Sequence, residues 1–263
     1  MRPARYSLRR DDGMAALAQW LEMDGFFVGG ESAYDAFENP SEEPGTVRLT
    51  LRGVDWLDAA ADRPTRTLEL GDAVLEVLAG NGHVLGDYSL WGARLTVPSG
   101  SPDATLTAGV GALPHVGGEW AWDQWRASRP AQRNAWARLP VGHREAWLEV
   151  TRIVSFRENR MPYPALLEQI DLDGGHVDDL ASLFCALGDA VAGPGGWCAS
   201  SLADLADCLR YAPRAAPRPR LLWRDLAVAE KGLARTVAEA GAVRYLDLAL
   251  QVLAGGGVEV LAG

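Results

Sequence analysis

The spacing of apolar residues changes period along this chain, and that change limits what it can fold into. In TVRLTL (46–51), Val47, Leu49 and Leu51 alternate with polar neighbours, the two-residue period of a half-buried strand. AVLEVLAGNGHVL places Asn81-Gly82 between two alternating apolar runs, the strongest short-range signal for a β-hairpin. ARLTV (93–97) reads as a further strand, and MDGFFVGG (23–30) as a short buried strand running into a glycine turn. From about residue 167 the period lengthens. Leu180, Leu183, Phe184, Leu187 and Val191 mark the inner face of a helix, and Val243, Leu246, Leu250 and Leu253 another. Between the helices, LLEQIDLDG, LLW (221–223) and VEVL (258–261) read as strands, and VAEKGLARTVAEAG as helical. Strands separated by helices imply a small parallel sheet.

The intervening segment, 119–157, is polar, tryptophan-studded and broken by Pro130 and Pro140. Each proline is expected to open a helix, because its missing N–H costs nothing at the first helical position. Trp125, Trp136 and Trp147 recur at three-turn intervals and are expected to anchor a helical connector on the sheet. MPYP (161–164) reads as a linker. The expected organisation is a β-rich domain over 1–118, a Trp-rich helical connector over 119–166, and an α/β domain over 167–263. The last would carry a three-stranded, largely parallel sheet covered by helices.

The formal charge of −10 and pI near 4.9 argue against nucleic acid as a direct partner, since phosphate binding needs a basic face. No run approaches the roughly 20 apolar residues of a membrane span. The charged opening MRPARYSLRRDD lacks the apolar stretch of a secretory signal, so a cytoplasmic location is expected. Cys185, Cys198 and Cys208 are odd in number and show no CxxC spacing. Free, mostly buried thiols are expected, with no disulfide framework and no metal site. Cys208 sits among acidic residues, which would raise its pKa rather than activate it.

DLDGGHVDD (171–179) resembles the nucleophile motif of haloacid-dehalogenase-type phosphatases, with Asp171 and Asp173 as candidates. It lacks the Thr or Val expected after the glycine. A calcium loop fails, because Gly175 and His176 stand where an oxygen ligand and a glycine are needed. The reading preferred for this stretch is a strand-to-turn Asp-Gly followed by Asp178 or Asp179 as a helix cap. The four histidines stand near no serine or cysteine signature. No residue pattern asks for catalysis, and no cofactor is expected.

SSLADLADCL (200–209) follows GPGGWCA. It places Leu202, Leu205, Ala206 and Leu209 on one helix face and Asp204 and Asp207 nearly opposite, without a compensating Lys or Arg. Ser201 and Asp204 suggest a capping box with aspartate in the glutamate's place.

The order of these elements resembles the barstar family of ribonuclease inhibitors over roughly 167–262. Leu172-Asp173-Gly174, Pro194, Trp197, Leu202, Leu205, Asp207-Cys208-Leu209 and Leu222-Trp223 fall at the family's positions, with one residue inserted between Pro194 and Trp197. The family's Tyr-Tyr-Gly is here Trp197-Cys198-Ala199, its Asn-Leu-Asp is Ser201-Leu202-Ala203, and its acidic residue near the end of the last helix is Ala254.

The resemblance implies a bacterial immunity protein that performs no chemistry. An acidic helix and its preceding loop enter the basic cleft of a ribonuclease or related toxin, where carboxylates stand in for RNA phosphates. It assigns partner contact to Asp207, Asp204, Trp197, Ser200, Ser201 and Ala203, with Asp204 supplying a charge shifted by one position. The alternative is a binding or regulatory protein whose barstar-like domain has lost nuclease recognition, while the β-rich half binds something else. From 168 to 263 there are 13 acidic and 8 basic side chains, and five of the basic ones are arginines within 210–224.

Overall fold

The computed structural model describes residues 3–13, 15–29, 45–57, 66–158, 163–234 and 243–263. The chain forms two compact units, Met1–Ser128 and Arg129–Gly263, so the tryptophan-rich segment is shared between them.

Unit 1 is an antiparallel sheet of eight strands. They are β1 (Tyr6–Arg10), β2 (Ala16–Trp20), β3 (Glu22–Asp24), β4 (Gly45–Arg52), β5 (Asp55–Trp56), β6 (Arg66–Leu78), β7 (Val84–Val97) and β8 (Ala104–Val110), in the order β3-β4-β8-β7-β6-β1-β2-β5. The two ends of that order are one bent strand pair. β2 and β3 are separated by Leu21 alone, and β4 runs on into β5. The pairings Ala18↔Trp56, Gln19↔Asp55, Glu22↔Arg52 and Met23↔Leu51 keep a single register through the bend. The sheet therefore closes on itself, which removes its open edges.

Bulges where β6 meets β7, one at Gly71 in the left-handed region (φ 70°), bend the two longest strands around the curve. Leu8, Leu49, Leu51, Leu75, Leu95 and Leu106 are fully buried, as expected of a small barrel filled by side chains. The Asn81-Gly82 turn joins β6 to β7, with Gly82 at φ 80°. MDGFFVGG contributes β3 and the buried Phe26, and Gly29 pairs with His115.

Helix α1 (Gly118–Ala127) belongs to this unit. Its Trp122 indole donates to the Tyr88 hydroxyl at 3.0 Å, and Arg126 lies 4.8 Å from the Tyr6 ring. Trp125 is buried on α1, whereas Trp136 and Trp147 are buried in unit 2, on a 3-10 turn (Ala135–Arg138) and on α2 (Arg144–Glu158) respectively. The equal spacing of the three tryptophans is thus not one helix face. Pro140 leads into a 3-10 turn and α2, as expected of a helix-opening proline. Pro130 opens no helix, and the next helical turn begins at Ala135.

Unit 2 continues with β9 (Gln169–Asp173), α3 (Leu180–Ala192), α4 (Leu202–Tyr211), β10 (Arg220–Arg224), α5 (Leu226–Gly232), α6 (Tyr245–Gly255) and β11 (Glu259–Ala262). The strands form a parallel sheet in the order β11-β10-β9. The helical reading of 228–241 is met up to Gly232, and residues 235–242 lie outside the described residues, as do 161 and 162 of MPYP. Val243 is exposed, and the inner face of α6 is Tyr245, Leu246, Ala249 and Leu253.

Helix α3 has no outer face. Residues 181–190 are all buried, because it sits between β9, α2 and the neighbouring elements, and a helix apolar all round belongs in a core. Asp179 caps it, with Asp179 Oδ1 accepting the Ser182 N–H at 2.6 Å and Ser182 Oγ accepting the Asp179 N–H at 2.9 Å. Among the described residues no helix is long and apolar enough to cross a membrane.

Candidate functional site

The loop between α3 and α4 is built on glycines and one buried carboxylate. Gly193 ends α3 at φ 80° and Gly195 follows at φ 66°, conformations that residues with a Cβ rarely adopt. Gly188, inside α3, lies so close to the returning loop that an added Cβ would sit 2.4 Å from the Gly196 carbonyl oxygen. Gly188→Ala should therefore push the loop outward and lower the stability of unit 2 by about 1–3 kcal/mol. Thermal unfolding followed by tryptophan fluorescence checks this, and an unchanged midpoint would contradict the close approach.

Asp189, 2% exposed, organises the same region. Its Oδ1 accepts the Gly195 N–H at 2.8 Å, and its Oδ2 accepts the Asn134 N–H at 2.7 Å and the Trp136 indole N–H at 3.1 Å. Burial pushes its pKa up, against the opposing effect of these bonds.

The loop then turns inward. Trp197 is only 4% exposed, and Cys198 and Ala199 are fully buried. The Trp197 indole donates to Ser200 Oγ at 2.8 Å, and its ring lies 5.5 Å from that of Phe156. Of the six residues assigned to partner contact, Trp197 thus holds the loop from within.

Ser201 caps α4, its Oγ accepting the Asp204 N–H at 3.0 Å. The return bond reaches one residue further than a capping box requires, because Asp204 Oδ2 accepts the Ser200 N–H at 3.0 Å. Ser200, Ser201 and Asp204 are half-buried, while Ala203, Ala206 and Asp207 are exposed. Leu205, Cys208 and Leu209 face the core.

Among the described residues no Lys or Arg forms an ion pair with Asp204 or Asp207. The arginines that follow α4 are largely committed elsewhere. Arg214 donates to the carbonyls of Leu209 (2.5 Å) and Gly256 (2.7 Å), Arg220 lies 3.8 Å from Glu168, and Arg224 lies 3.2 Å from Asp171.

Aromatic residues that sequence reasoning missed lie around this region: Tyr163 near Asp207 and Asp204, and Phe156 against Trp197. Tyr163 and Tyr211 stack at 6.0 Å, and Tyr211 is 54% exposed and Phe156 50%. The Tyr163 phenol is pushed up, first by burial and then by the negative charges of Asp207 and Asp204. These rings gave no signal in the sequence, because Tyr163 and Phe156 lie far from α4 along the chain.

The remaining motif is consumed locally. Asp173 accepts the Gly175 N–H at 3.1 Å and the Asn134 side-chain N–H at 2.7 Å, so Asp171 and Asp173 serve the turn and the sheet. No cluster of three or more His, Cys, Asp or Glu suited to a metal occurs among the described residues. All three cysteines are free and buried.

Cys208 departs from expectation. Its pKa is lowered by its interaction with the neighbouring Cys198 thiol, against the opposing effect of burial. No family model, curated protein or solved structure matches this chain.

Proposed function

We propose that this chain is a barstar-like inhibitor, a cytoplasmic immunity protein that binds and blocks a ribonuclease or related toxin through α4 and the loop before it. The observation that carries the reading is the exposed Asp207, free of any ion pair among the described residues. It stands on a helix face kept flat by Ala203 and Ala206 and beside the half-committed Asp204. A carboxylate held out on a rigid, capped helix suits a partner's cations, because little ordering is left to be done on binding. The parallel β9-β10-β11 sheet with its intervening helices, together with the residues shared with the barstar family, supports the same reading.

In this arrangement Trp197 and Ser200 shape the loop, Ser201 fixes the start of α4, and Ala203 leaves room for close approach. Asp207 and Asp204 meet the partner's Arg, Lys or His side chains. Tyr211 and Phe156 supply the exposed aromatic area that such interfaces favour.

The test is titration of the purified chain with a barnase-type ribonuclease at low and at moderate salt, read by calorimetry and by loss of RNA cleavage. Binding that weakens with salt and abolishes cleavage is the expected result. Absence of binding to such nucleases at low salt would overturn it. The rival reading, in which the β-rich half does the binding, requires that unit 1 residues and not Asp207 control association with a captured partner.

A further inference from the structure

Cys198 and Cys208 meet beneath the acidic face. Both line one apolar cavity of about 10 Å³, together with Leu187, Leu205, Ile170 and Leu209, and the two thiols lie close enough for each to shift the other's pKa. Cys198 belongs to the glycine-rich loop and Cys208 to α4. Cys185, the third thiol, lies elsewhere, 3.9 Å from the Arg144 carbonyl oxygen.

The pair brackets the site. Ser200, two residues after Cys198, holds Asp204, and Asp207 directly precedes Cys208. A covalent tie between these two positions would join α4 to a loop already held by Asp189 and Trp197.

We propose that Cys198 and Cys208 form a reversible disulfide that ties the 195–201 loop to α4, and that oxidation thereby suppresses local opening of the acidic face. Its bearing on partner binding rests on the function proposed above, whereas the disulfide itself does not.

Hydrogen peroxide, or a peroxide of the same class, serves as oxidant. One of the two thiols, as its thiolate, attacks one peroxide oxygen, the O–O bond breaks, and the departing hydroxide takes a proton to become water, leaving a sulfenic acid. The other cysteine's sulfur then attacks that sulfur. Its proton leaves with the sulfenic hydroxyl as a second water, and the S–S bond forms. Two thiols and one peroxide become one disulfide and two waters, with two electrons passing from sulfur to oxygen. Either sulfur can attack first, since both face the same buried cavity. Because both sulfurs are buried, the reaction proceeds through local opening of the loop.

The experiment treats the reduced full chain with peroxide under native conditions, then unfolds, alkylates and maps it without reductant. The Cys198 and Cys208 peptides should be joined, Cys185 should be alkylated, and dithiothreitol should restore all three thiols. Amide exchange across residues 199–207 should slow by at least about tenfold in the oxidised form. Cys198→Ser should leave Cys208 as a sulfenic acid that dimedone traps. Cys198 and Cys208 both remaining alkylatable, a cross-link to Cys185, or unchanged exchange after cross-linking would each overturn the proposal, whether or not the variant folds. A cross-link with no nuclease binding in either redox state instead overturns the function proposed above, and nuclease binding without a cross-link overturns this one.

Discussion

Asp189→Ala should destabilise unit 2 by about 3–5 kcal/mol, enough to unfold much of the marginal stability a domain of this size carries. The substitution leaves three N–H donors, those of Asn134, Gly195 and the Trp136 indole, without the oxygen they now share. The Gly195 and Trp136 donors are buried and the Asn134 N–H partly so, and a buried donor left unpaired costs about 1–3 kcal/mol. Asp189→Asn should cost less but remain destabilising, since one oxygen is kept while the new amide directs a donor at a donor.

Because burial raises the native pKa above the ordinary 3.8, the folded state holds a proton there that the unfolded chain releases. The contribution of Asp189 is therefore fullest below 3.8 and declines as pH rises through the raised native value. The stability difference between wild type and Asp189→Asn should shrink over that window and level off above it. Urea unfolding followed by tryptophan fluorescence at several pH values measures both effects. A loss below about 1 kcal/mol for Asp189→Ala would show that the three donors find other partners.

Asp207→Ala should weaken binding of a cognate nuclease by about 2–5 kcal/mol, roughly 30-fold to several-thousand-fold in Kd. The loss is large because the partner's cations stay desolvated when their counter-charge is removed. Stability should not change, since Asp207 is exposed and makes no hydrogen bond or ion pair among the described residues. That separation distinguishes an interface residue from a structural one. Asp204→Ala should affect both, because its carboxylate also holds the Ser200 N–H. Asp207→Ala should reduce the association rate most at low salt, where surface charge steers encounter least screened. Wild type and Asp207→Ala binding a nuclease equally well would remove the site while leaving the fold unaffected.

Several expectations were legible because they depend on neighbours in sequence. The 6-to-7 hairpin follows from Asn81-Gly82, the α3 cap from Asp179, the α4 cap from Ser201, and the parallel sheet from the alternation of strand and helix. The outward direction of Asp207 follows from helical spacing against Leu205 and Leu209. The failures are equally specific. The three tryptophans share a spacing but lie on separate elements, Pro130 starts no helix, and α3 is buried on every side although its sequence suggested one inner face.

Local period, turn chemistry and capping are written into adjacent residues, so the chain alone determines where many of the strands and helices run and which way Asp207 on α4 points. Closure of the eight-stranded sheet depends on one register shared by Ala18↔Trp56, 38 residues apart, and Glu22↔Arg52, 30 residues apart, and no local pattern encodes that. The inward turn of Trp197, the three donors converging on Asp189 and the placing of Tyr163 beside Asp207 likewise arise only when distant segments pack. Burial is a property of the whole core: it decides which of several locally acceptable polar, aromatic and thiol groups face a partner, face one another, or hold a loop in place.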